Sequence, residues 1–226
     1  MCIVVTNKEK ECRIIAFNRD ELKIKKWGYP KEYWQNYKGI SGYLDFESQG
    51  SWLVYNVYGI VCCVLNREMD YKGGNKSRSH IALDVIKGAH TIKKCLENWT
   101  NIGVLELKPF NLLIISFDEL YYCSNRDQKG HRKKIIQKIE SDFVILNRSY
   151  PNDENEQRIS SNINRLKKLT NNDLQKWKNV MLESSYVNTQ TDEKTMSLES
   201  KKWKTLCHTI IKVYKGSVNN IECLTY

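Results

Sequence analysis

Proline is scarce in this chain, with three in 226 residues. With so few breakers and no low-complexity tract, no stretch reads as a linker, and residues 1–226 are expected to form one domain. No apolar run reaches the length of a bilayer span, and the first residues lack a basic segment followed by an apolar one. A soluble, cytoplasmic protein is therefore expected. No Cys-x-x-Cys pair and no His-x-x-x-His pair occurs, which leaves a zinc site without sequence support and no metal expected. No nucleic-acid-binding motif accompanies the charge, so nucleic acid is not an expected partner.

What is present is a core-forming composition: 41% hydrophobic residues, with six Trp, thirteen Tyr and five Phe. These exclude a disordered chain. The net charge of +10 includes basic runs at 23–26, 131–134 and 201–204. They read as a solvated basic surface, with weak contact to an anionic membrane surface as the alternative. Most of the eight cysteines sit in apolar, strand-like runs such as CCVLN and TLCHTII. There they act as small hydrophobes in a reducing compartment. Cys223 stands fourth from the end, but the tail Cys-Leu-Thr-Tyr does not fit a prenylation signal and reads better as a strand end.

Residues 2–6 (CIVVT) and 12–17 (CRIIAF) predict a hairpin around a polar turn at 7–11. It would return Asn18-Arg19-Asp20-Glu21 to the side of Cys2. The aromatic, lysine-rich stretch 22–48 predicts a loop with a short strand near Ile40. Strands are predicted at 50–56 and 60–66, hydrophobic on both faces and therefore covered on both. Helical spacing follows at 78–87, ended by Gly88, and at 90–99. Residues 110–117 and 120–124 predict a third hairpin, and 134–139 and 142–147 a fourth. Helices are predicted at 154–169 and 172–184, a polar, mobile segment at 188–200, and a closing hairpin of 205–214 with 218–224. Strands, helices, strands, helices, strands, with both strand faces covered, fit two antiparallel sheets between helical layers.

Several stretches carry a resemblance. MCIVV, FNRDE, the Gly42-Tyr43-Leu44-Asp45 step, GSWLVYNVYGIVCCVLN and SRSHI occur in this order. Together they resemble the NRDE family, also called the transport-and-Golgi-organisation family. Through its motifs that family is similar to N-terminal-nucleophile hydrolases, among them the bile-salt and penicillin V amidases. The resemblance implies an α+β fold, a four-layer αββα sandwich of two antiparallel sheets.

Carried over residue by residue, it implies the following roles. Cys2, freed of Met1, is nucleophile and, through its α-amine, base; the reference pKa of such an amine is about 8. Asp20 orients the amine and Asn18 matches the motif's asparagine. The amidase arginine falls at Phe17, and Arg19, two residues on and on the same side of an extended strand, substitutes for it. Asn66 supplies an oxyanion-hole amide and Asn147 a second polar contact. Asn18, Trp52 and Arg78 are candidate binding residues. Two motifs depart from the relatives: Lys204-Thr205-Leu206-Cys207 stands for Gly-Thr-Arg, and Ser77-Arg78-Ser79 for Ser-Arg-Gly. Each residue also has a plainer use. Cys2 suits a buried strand, 18–21 an ion-paired turn, Asn66 and Asn147 turn caps, and Trp52 a core.

Two function classes follow. The resemblance implies an intracellular trafficking or homeostasis factor handling haem or lipid, and this is the first expectation. The residues themselves allow the alternative, an amidohydrolase acting on a small amide through an acyl-Cys2 intermediate. The expected partner is a small molecule: haem, an acyl lipid or an amide. No cofactor is required. For haem as a bound ligand, His80, His90, His131 and the Cys207-His208 pair stay open as axial ligands, with no attachment motif to choose among them.

Overall fold

The computed structural model describes residues 2–67, 76–183, 186–187, 190–191, 194–215 and 221–225. In chain order these form β1 (Ile3–Lys8), β2 (Cys12–Leu22), β3 (Trp27–Lys31), β4 (Ile40–Asp45), β5 (Leu53–Asn56), β6 (Val61–Asn66), α1 (Ile81–Ile86) and α2 (Ile92–Asn101). There follow β7 (Phe110–Ile115), β8 (Leu120–Arg126), β9 (Arg132–Lys138), β10 (Phe143–Leu146), α3 (Gln157–Ser160), α4 (Ile163–Leu166) and α5 (Leu174–Leu182). The chain closes with β11 (Tyr186–Val187), β12 (Gln190–Thr191), β13 (Trp203–Tyr214) and β14 (Ile221–Thr225). They fall into two compact units that interleave in sequence: Met1–Lys25 with Ser141–Lys215 and Ile221–Tyr226, and Lys26–Glu140 with Gly216–Asn220.

The first unit is built on a five-stranded antiparallel sheet in the order β10-β1-β2-β13-β14. One face carries Ile3, Val5, Ile14, Ala16, Phe143, Ile145 and Ile210, packed with Ile159, Ile163, Leu166, Trp177 and Met181 of α3, α4 and α5. Alternation sends Val4, Ile15 and Phe17 to the other face, and these too are fully buried. The second unit is a seven-stranded meander, β3 to β9 in sequence order. Ile40, Val54, Cys62, Leu112 and Ile114 of its sheet pack with Ile81, Val85, Ile86, Ile92, Cys95 and Trp99 of α1 and α2. Among the described residues no helix is long and apolar enough to cross a membrane.

The structure departs from the sequence reading in five places. The strand expected at 12–17 runs on to Leu22, because Asn18 and Asp20 find partners on distant elements. The loop expected at 22–48 contains an edge strand, β3, paired to β4. The expected hairpin of 134–139 with 142–147 does not form: β9 pairs with β8, and β10 pairs with β1 in the other sheet. The helix expected over 154–169 is split into α3 and α4 at Asn162. That side chain donates to the backbone carbonyls of Arg158 and Lys194 at 2.7 and 2.6 Å, and such bonds compete with helix. In the segment expected to be mobile, residues 194–200 are built into the first unit, with Thr195, Met196 and Ser197 buried. The turn of the closing hairpin, 216–220, lies outside the described residues; its strands β13 and β14 pair as expected.

Candidate active site

The first unit brings together most of the residues that the sequence singled out. Ile3 pairs with Asn18, so Cys2, just before β1, lies level with Arg19. Ile14 and Ala16 face α3 to α5, so alternation along β2 turns Asn18 and Asp20 to the helices and Arg19 to the opposite side with Cys2. Cys2 is buried. Burial pushes its thiol up, the Asp20 carboxylate adds to that, and Arg19 and the Asp20 backbone N–H at the sulfur pull it down. The net effect is a protonated thiol at neutral pH, which needs a base before it can attack.

Asp20 is held by side chains from far along the chain. Arg158 on α3 donates Nη1–H to Oδ2 at 2.5 Å, and Thr205 on β13 donates its hydroxyl to Oδ1 at 2.5 Å. The Arg158–Asp20 pair is almost wholly buried. Arg158 is in turn fixed by the Thr195 carbonyl at 2.9 Å and by the Met196 carbonyl. These distant partners of the carboxylate, which the sequence reading set beside the Cys2 amine, were announced by no local signal. Thr205 stands in the stretch compared with Gly-Thr-Arg. The arginine position of that motif is Leu206, where β13 bulges between Thr205 and Cys207.

Asn18, read as a binding residue, is fully buried and ties the unit together. Its amide donates to the Met181 and Met196 carbonyls at 2.8 and 2.6 Å, and its oxygen faces His208 Nδ1 at 3.0 Å. Burial pushes His208 down to about 4; Lys204 and Arg158 act with it and Asp20 against it. Arg19 lies 3.6 Å from Glu21. It pairs with Cys207, whose thiol burial pushes up to about 12. Asn147 is buried directly after Leu146, the partner of Val4, and so lies at the same end of the sheet as Cys2.

The remaining candidates belong to the second unit. Asn66 ends β6, exposed, and accepts a hydrogen bond from Arg78. Trp52 is buried, stacked on Tyr43 at 5.0 Å with Trp27 edge-on at 6.4 Å, an aromatic core rather than an open wall. The histidines considered for haem have local contacts: His80 with Ser79, His131 with Asp127, and His90 stacked on Tyr58 at 4.2 Å. Among the described residues no group of three or more His, Cys, Asp or Glu is placed to hold a metal ion.

Residues 1–221 match the sequence model of the family described as Transport and Golgi organisation 2 (TANGO2). The chain belongs to that family. None of the curated proteins compared matches it in sequence. Among solved structures it is similar to a Caenorhabditis elegans N-acylethanolamine-hydrolyzing acid amidase ortholog, at 13% identity, covering 93% of this chain and 92% of that one with a TM-score of 0.65. It is also similar to penicillin V acylase from Agrobacterium tumefaciens (12% identity, 100% and 85% covered, TM-score 0.54). A third is the C2A mutant of conjugated bile acid hydrolase from Clostridium perfringens (11%, 100% and 96%, 0.52). The fold is the N-terminal-nucleophile hydrolase-like α+β fold of the αββα class, as the motifs implied.

Proposed function

We propose that this TANGO2-family protein is an N-terminal-cysteine hydrolase acting on the C–N bond of a small amide. The observation that carries the proposal is the placement of Cys2: buried, beside Arg19, with the Asp20 backbone N–H at its sulfur. A strand cysteine kept only for packing has no need of these groups. The three structural neighbours, by their names an amidase, a hydrolase and an acylase, support the same class of chemistry.

The steps follow from the residues. Removal of Met1 frees the α-amine of Cys2. Burial keeps the thiol protonated, so the amine accepts its proton as sulfur attacks the amide carbonyl carbon. The carbonyl π electrons move to oxygen, and Asn147, at the same end of the sheet, donates to that oxyanion. Collapse breaks the C–N bond, the ammonium returns the proton to the leaving nitrogen, and an acyl-Cys2 thioester remains. Water, deprotonated by the same amine, then releases the acid and the thiol. Arg19, on the face of Cys2, supplies positive charge to the acyl or leaving group. The trafficking, haem or lipid role implied by the resemblance draws on the family's name.

The test is hydrolysis of a panel spanning N-acylethanolamines, bile-acid conjugates and penicillin V by Met1-processed protein. Cys2→Ala is expected to abolish turnover of whichever amide is cleaved, and a covalent acyl adduct is expected on the N-terminal peptide. Turnover that survives Cys2→Ala would overturn the proposal.

A further inference from the structure

We infer that Arg158, together with Thr205, is a positioning residue for this chemistry: it fixes the Asp20 carboxylate beside the α-amine of Cys2. The inference rests on the hydrolase reading above. Its basis is that both carboxylate oxygens of Asp20 are engaged by groups that cannot move independently. Arg158 Nη1 holds Oδ2 and Thr205 Oγ1 holds Oδ1, each at 2.5 Å. Arg158 is itself held, its Nε–H donating to the Thr195 carbonyl and its Nη2–H to the Met196 carbonyl. Met196 is fully buried and its carbonyl also receives Asn18. Thr205 is fixed by its place on β13, paired directly with Asp20, and its hydroxyl also accepts the Leu198 N–H at 2.7 Å.

Such bracing has a chemical use. A carboxylate on a strand has two side-chain torsions, and left to itself it would turn between the amine and any nearby donor. A guanidinium on one oxygen and a hydroxyl on the other leave it a single orientation, with the remaining lone pairs fixed in direction. An oriented carboxylate in turn keeps the Cys2 amine, the base, in one geometry relative to the thiol. The sequence offers arginine nowhere between Lys201 and Tyr226, and Leu206 occupies the bulge where relatives are expected to carry one. A helix from elsewhere in the unit supplies the guanidinium instead.

The experiment is alkylation of Cys2 by chloroacetamide from acid to alkaline pH, read by mass on the N-terminal peptide of Met1-processed protein. The proteins are wild type, Asp20→Asn, Arg158→Met, Arg158→Lys and Thr205→Val. The expected result is that Asp20→Asn moves the midpoint of the profile by about one unit and that Arg158→Met, in which the carboxylate is no longer held, moves it as well. Thr205→Val should move it less, and Arg158→Lys should restore most of the wild-type profile. A wild-type midpoint in folded Arg158→Met, beside a shifted Asp20→Asn, overturns the inference and leaves the hydrolase reading standing. A wild-type midpoint in Asp20→Asn removes Asp20 from the chemistry and the inference with it. Should Arg158→Met not fold, Thr205→Val and Arg158→Lys decide: a wild-type profile in Thr205→Val, or a profile in Arg158→Lys shifted as far as Asp20→Asn, overturns the inference.

Discussion

Asp20 and Arg158, 138 positions apart, meet in a buried ion pair at 2.5 Å. The pair joins β2 to α3 and fixes the helix layer over the end of the sheet where Cys2 lies. Removing only the cation leaves a buried carboxylate without it, which elsewhere costs about 3–5 kcal/mol. Arg158→Met is expected to lose stability on that scale in urea unfolding. Asp20→Asn/Arg158→Met, with no charge left in the pair, is expected to lose clearly less than the sum of the single variants.

Asn18 braces the first unit through its side-chain amide. Asn18→Ala deletes hydrogen bonds to two buried carbonyls, of which that of Met196 keeps Arg158 as a donor, and is expected to cost about 1–3 kcal/mol in all. A marked drop in melting temperature is expected, with Cys2 alkylation in the folded variant close to wild type. Loss of Cys2 reactivity without loss of stability would return Asn18 to the site.

His208 gives the first unit a signed pH dependence. Its folded-state value of about 4 lies below the ordinary value of 6.5. As pH falls through that window the unfolded chain takes up a proton that the folded chain refuses. The contribution of neutral His208 to stability is therefore complete above 6.5, declines as pH falls, and is fully lost near 4. Melting temperatures of wild type and His208→Gln over that range should converge toward the acid end, since the variant lacks the titration.

Gly50 tests the second unit alone. A β-carbon there would sit 2.2 Å from the Ser79 carbonyl oxygen and 2.5 Å from its carbon, and the same carbonyl accepts the Ser51 N–H at 2.8 Å. Backbone atoms cannot rotate out of the way. Gly50→Ala is expected to destabilise by about 1–3 kcal/mol, measured by chemical denaturation, while Gly103→Ala, with open space at its β-carbon, serves as the mild control.

The hairpins β1–β2, β5–β6 and β7–β8 were legible in the sequence because their signals are local: β-branched and aromatic runs around short links. The Cys2 and Asn18-Arg19-Asp20 neighbourhood was legible for the same reason, through a single hairpin. Arg158 was not, because the residue it serves is far away in sequence and nothing beside it differs from an ordinary helix arginine. The same limit explains β10. Glu140-Ser141 between two apolar runs has the look of a hairpin link, and only the pairing of Val4 with Leu146 shows that the second run crosses to the other sheet. The plainer use weighed for 18–21, an ion-paired turn, gives way to a continuation of β2 for the reverse reason. Its polar side chains suggested solvent, whereas Met181, Met196, Thr205 and His208 give Asn18 and Asp20 buried partners.

The most direct measurement of the central claim is the intact mass of Met1-processed protein during incubation with the amide panel, beside Cys2→Ala. The expected result is loss of Met1, a transient acyl increment confined to the N-terminal cysteine, and release of acid and amine. None of these acyl species should form in Cys2→Ala. Amide cleavage at an unchanged rate in Cys2→Ala, or in protein that keeps Met1, would contradict the claim that Cys2 is the nucleophile and its α-amine the base.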